Sequence, residues 1–142
     1  MKRLALIAAA IVVVSCGGSN DPQVVTAPSA TVVTETFTGT VNPPVVGVGQ
    51  QDIHNFTVSV DGTLSVTLTA AGPPPTIKVG LGVGNPGANG TCSMSTGNFV
   101  ETAAGTTAQL SGAIGMGTYC VSVFDTGNIL QPVTYSVTVA HT

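Results

Sequence analysis

Two histidines, six carboxylates and three thiols are the side chains of this 142-residue sequence whose types suit acid–base, nucleophilic or metal chemistry. His54 stands two residues after Asp52 and alternates with Phe56 and Val58, which places it on the inner face of a strand near its end. A histidine acting as general base needs a nucleophile and an orienting acid within reach. No G-x-S-x-G elbow and no H-E-x-x-H run is present, so His54 reads as a structural or edge histidine. His141, near the last residue of the sequence, reads as part of a frayed end. Asp52, Asp61 and Asp125 fall at strand ends or turns, whereas paired-carboxylate glycoside chemistry needs two acids at a fixed separation in a cleft. The stretch Asp125-Thr126-Gly127-Asn128 offers two weak calcium candidates, Asp125 and Asn128, without the acidic spacing and terminal Glu of an EF-hand. A turn is the preferred reading there. Gly80-x-Gly82-x-Gly84 is followed by no helix, and phosphate cradling uses a helix N-terminus, so these read as strand and turn glycines. No catalytic residue, metal or cofactor is expected.

The thiols point elsewhere. Met1-Lys2-Arg3 precedes an unbroken apolar run from Leu4 to Val14, then Ser15-Cys16-Gly17-Gly18. A basic start and a short apolar run ending at small residues is the pattern of a secretory signal peptide. As a helix the run rises about 16 Å, roughly half the hydrocarbon thickness of a bilayer, so it does not span one. Val13-Val14-Ser15-Cys16 resembles the lipobox of bacterial lipoproteins. That resemblance implies a thiol of Cys16 that is diacylated, cleavage just before it, and acylation of the new amine. Several acyl chains, at about 0.8 kcal/mol per buried CH₂, hold far better than one. Gly17 in place of Asp after the cysteine implies delivery to the outer membrane of the bacterial envelope. With Cys16 lipidated, Cys92 and Cys120 remain as an even pair in an oxidising compartment, the arithmetic of a disulfide. It would close a loop of about 29 residues, worth roughly 3.6 kcal/mol in the chain-entropy picture. Zinc is the alternative, but two thiols so far apart lack the paired spacing of its sites.

The positioning elements read as strands. Residues 17–30 are small, polar and proline-punctuated, as a flexible tether is, which divides the chain into a leader (1–15), Cys16 and linker (16–31), and a domain (32–142). From Val32 onward apolar residues alternate with Thr and Ser: Val33 to Thr40, Asn55 to Val60, Thr63 to Ala70, Ile77 to Val83, then weaker runs at Phe99–Thr102 and Thr106–Leu110. Tyr119–Val123 and Tyr135–Val139 close the series. Asp61-Gly62 predicts a two-residue hairpin between two of the best runs. Pro73-Pro74-Pro75, Gly84-Asn85-Pro86-Gly87 and Gly115-Met116-Gly117 mark further turns. About eight strands at this spacing predict an all-β fold, a jelly-roll-like antiparallel β-sandwich.

Gln51-Asp52-Ile53-His54-Asn55-Phe56, followed by Asp61-Gly62-Thr63-Leu64-Ser65-Val66, resembles the opening of the bacterial pre-peptidase C-terminal domain. Gly117-Thr118-Tyr119-Cys120-Val121 and Tyr135-Ser136-Val137 resemble its closing part. The resemblance covers Glu35 to Val139. It implies a non-enzymatic sandwich of the kind appended to secreted peptidases, sometimes binding a polymer, although no peptidase precedes it here.

Charge decides what such a domain does not do. Removing residues 1–15 discards Lys2 and Arg3, which leaves Lys78 against six acidic side chains. One lysine makes no basic face, so nucleic acid is excluded. The expectation is a non-catalytic, lipid-anchored binding or interaction module of the cell envelope. Its partner is expected to be protein or polysaccharide, met at loops spanning Gly84–Asn98 and Gly112–Gly117. A structural envelope component is the alternative, and after it an enzyme or enzyme inhibitor.

Overall fold

The computed structural model describes residues 31–45 and 50–142. The leader, Cys16 and the tether lie outside them. Nine strands follow: β1 (Val33–Val41), β2 (Gln51–Val58), β3 (Gly62–Gly72), β4 (Val79–Pro86), β5 (Cys92–Ser93), β6 (Phe99–Thr102), β7 (Leu110–Ile114), β8 (Gly117–Phe124) and β9 (Val133–His141). One sheet has the order β1-β9-β3-β7 and the other β2-β8-β4-β5, with β6 also paired to β4. Every pairing is antiparallel. Except at the β4–β5–β6 excursion, each connection crosses from one sheet to the other, which is the winding of a jelly roll. The expected fold class is what the chain adopts, the short β5 being the additional strand.

The alternation of Val and Leu with hydroxyl residues builds the core. Val66 and Leu68 of β3, Val79 and Leu81 of β4, Val121 and Val123 of β8, and Val137 and Val139 of β9 turn inward and are buried between the sheets. Each such side chain contributes about 1.5–3 kcal/mol relative to leaving it exposed. The outer face of the first sheet keeps its threonines in water, where Thr36 and Thr138, in register, share a hydrogen bond of 3.4 Å.

Two local expectations are overturned. Asp61-Gly62 makes no hairpin, because the strands it joins lie in different sheets: β2 pairs with β8, and β3 with β7 and β9. Asp61 Oδ1 instead accepts the Met116 N–H at 2.8 Å, tying the β2–β3 crossover to the β7–β8 crossover. The positive-φ turn falls at Asn89 (φ 62°) and Gly90 (φ 70°), between β4 and β5, and Gly87 N–H closes it on Thr91 O at 2.7 Å. The run expected at Thr106–Leu110 is displaced to Leu110–Ile114. Ahead of it the β3–β7 ladder stops at Val66–Leu110, and the Gln109 side chain accepts the Leu68 N–H at 2.8 Å where a ladder partner would be. Gly112–Gly117 is therefore no long loop: its first half ends β7, Gly117 begins β8, and only Gly115 and Met116 lie between.

The glycine motif of β4 has a packing role. Strand β4 is central in its sheet and its first six residues are buried on both faces. A Cβ at Gly80 would overlap the Phe124 ring, one at Gly82 the Met94 sulfur, and one at Gly84 the Ser93 carbonyl. Residues 87–98 fold over this flat stripe as a strap. The Cys92–Cys120 disulfide, with its Cα atoms 5.9 Å apart, fastens β5 to β8 across β4.

Candidate functional site

Two places gather polar chemistry, and they lie on opposite open sides of the sandwich. The first is a seam where edge strands β1 and β2 face each other. Period-two register turns Glu35, Phe37 and Gly39 of β1, and Asp52, His54 and Phe56 of β2, toward the interior. His54 Nε2 lies 2.8 Å from Tyr135 Oη and 4.0 Å from Asp52 Oδ1. Its ring stacks on Phe37 with centroids 5.0 Å apart. Asp52 Oδ2 accepts the Thr40 N–H at 3.2 Å, joining the two edges. Gly39 makes room for all of this, since a Cβ there would run into Asp52 and Tyr135. Burial, then the neighbouring Asp52 as hydrogen-bond acceptor and as charge, holds the Tyr135 phenol well above its ordinary range. Tyr135 therefore stays a neutral hydroxyl at every physiological pH.

The second pair of the seam is Glu35 and His141, and the structure corrects the expectation for the histidine. His141 is not frayed: it ends β9 with 3% of its surface exposed, between Val33 of β1 and Leu64 of β3. Its Nε2 meets Glu35 Oε1 at 3.4 Å and its ring stacks on Phe56. The alternation Val33, Glu35, Phe37 already put Glu35 on an inner face, and that was the available signal. Among the described residues neither histidine is hydrogen-bonded to a serine, threonine or cysteine. The seam is thus a set of ring and carboxylate contacts in which the buried His141 Nδ1 has no hydrogen-bond partner, and among the described residues no serine, threonine or cysteine nucleophile stands beside its histidines.

The second place is a groove of about 220 Å³ between β7 and the strap. Leu64, Val83, Ile114 and Tyr119 form its apolar part, and Asn85, Asn98 and Ser111 supply amide and hydroxyl groups. No charged side chain lines it. It brings together the two segments singled out in sequence, Gly84–Asn98 and Gly112–Gly117, although one of them is largely strand. Tyr119 Oη donates to Gly115 O at 3.1 Å, which fixes the ring at the groove wall. Strand β7 pairs only with β3 on its sheet, so its other edge borders the groove.

Asp125 and Asn128 sit in the turn after β8. Asp125 Oδ1 accepts the N–H groups of Gly127, Asn128 and Ile129 at 2.8, 3.1 and 3.1 Å, and Asn128 Nδ2 donates to Lys78 O at 3.0 Å. These are the bonds of a side-chain-held turn. Among the described residues no three His, Cys, Asp or Glu side chains cluster as a metal site would need. Comparison with the models of known protein families and with curated proteins finds no match.

Proposed function

We propose that the chain is a non-catalytic binding module of the bacterial envelope. It is held at the outer membrane by lipid on Cys16 and takes an envelope protein or polysaccharide into the groove beside β7. The observation that supports this reading best is the groove itself: neutral, part apolar and part amide, and bordered by a strand edge with backbone groups to offer. Such a lining suits sugar hydroxyls or an extended peptide, both of which need neutral donors and acceptors rather than a charge. The resemblance to the pre-peptidase C-terminal domain, whose members include polymer binders, leans the same way. Gly112 lines the groove opposite Leu64 on the inward side of β7, with open space where a Cβ would stand, so Gly112→Arg fills and charges it without touching the core. In retention assays with the full chain on glycan arrays and envelope extracts, wild type retains a partner and Gly112→Arg loses it. Equal retention by both chains, or none by wild type, rejects the groove as the binding site. A structural component would instead self-associate with no dependence on Gly112.

A further inference from the structure

We propose that one end of the sandwich is a membrane-facing tip that rests on the lipid surface, with Val60 and Met116 reaching into it. This inference rests on the lipid-anchor reading of Cys16. The pairings define that end: Val33 begins β1 opposite His141, His141 lies opposite Leu64, and Gly62 lies opposite Ile114. The short connection from Val58 to Gly62 and the turn from Ile114 to Gly117 close the sandwich at the same end. The chain preceding the described residues therefore joins the domain here, a tether's length from Cys16.

The surface at this end is unusual in two ways. Val32, Val33, Val60 and Met116 are exposed by 60, 46, 45 and 66%. Val60 and Met116 stand on neighbouring connections held together by the bond from Met116 N–H to Asp61 Oδ1. Charge is arranged to match. Six charged side chains lie among the described residues, and Asp52, Lys78, Glu101 and Asp125 are toward the opposite end. Of the two near the tip, Glu35 lies against His141 and Asp61 accepts the Met116 N–H. Asp61 is exposed and keeps its charge, so it stays among the headgroups while Val60 and Met116 reach past it, and the insertion is shallow. Two small side chains would hold weakly by themselves, but a lipid on Cys16 keeps the tip at high effective concentration over the surface. Leu130, Val45 and Phe99 are also exposed, the first two at the far end, beyond β8 and β1, and Phe99 on β6 opposite Gly82.

The sequence contains no tryptophan, so single-tryptophan reporters are unambiguous. The full chain carrying Val60→Trp, Met116→Trp or Leu130→Trp is placed on phosphatidylethanolamine–phosphatidylglycerol vesicles containing brominated acyl chains. The expected result is quenching and a blue shift for Val60→Trp and Met116→Trp, with Leu130→Trp unchanged. Co-flotation with vesicles scores the anchor separately. Where the chain does not float, the Cys16 thiol is coupled to a maleimide phospholipid and the quenching is read again. Tryptophans at 60 and 116 quenched no more than that at 130 overturn the proposal in either preparation.

Discussion

Gly39 is the residue on which the β1–β2 seam depends most, because the space of its missing Cβ is filled by Asp52 and Tyr135. Gly39→Ala forces these groups apart, and overpacking of this kind costs about 1–3 kcal/mol. Gly112, with nothing within 4 Å of an added Cβ, tolerates the same change to within about 0.5 kcal/mol. Denaturant unfolding of the two variants checks the contrast. Tyr135 makes the seam sensitive to alkali. Its folded phenol is raised above the ordinary value of 10.0, so the unfolded chain releases this proton first. The stability it contributes is complete below pH 10 and falls as pH rises beyond it. Tyr135→Phe is therefore less stable than wild type at neutral pH but declines less steeply between about pH 9 and 11, as unfolding midpoints across that range would reveal. Seen from sequence, His54 was assigned correctly to an inner face because alternation alone decides it. His141 was not, because being near the end of the sequence says nothing about burial when the last strand is central in its sheet and Glu35 waits on the next.

At the scale of elements, the strap and its disulfide explain the glycines of β4. The pairing of Cys92 with Cys120 was legible from thiol arithmetic, but its purpose was not: it fastens residues 87–98 over a strand kept flat by Gly80, Gly82 and Gly84. Replacing both cysteines by serine removes about 3.6 kcal/mol in the chain-entropy picture. It also loosens the strap, so the amides around Gly82 and Gly84 exchange faster while those of Val137 and Val139 in β9 keep their protection. Uniform exchange throughout would show that the strap has no independence from the core. The misplaced hairpin has a simple cause. Asp-Gly and Asn-Gly carry the same local preference, and sequence cannot say which of the two joins strands of one sheet. Topology decided for Asn89-Gly90 and gave Asp61 a different task. The shift of β7 has a comparable origin, since Gln109 uses its side chain where an apolar alternation would suggest ladder.

For the whole molecule, the jelly roll was legible because period-two runs and breakers extend through nearly all of the domain. The groove was legible only as two segments, for no local pattern states that the strap and β7 border one hollow. The groove reaches the tip, since Ile114 and Gly115 line it and Met116 follows directly, so a domain resting on a bilayer would hold one end of the groove close to the lipid surface. That arrangement, and the proposed function with it, depends on lipid at Cys16. Intact-mass analysis of the protein extracted from bacterial membranes tests this most directly. The account predicts a chain beginning at Cys16, heavier than residues 16–142 by a diacylglyceryl group and an amide-linked acyl chain, and no such mass for Cys16→Ser. A mature chain with an unmodified Cys16, or one cut elsewhere, would contradict it.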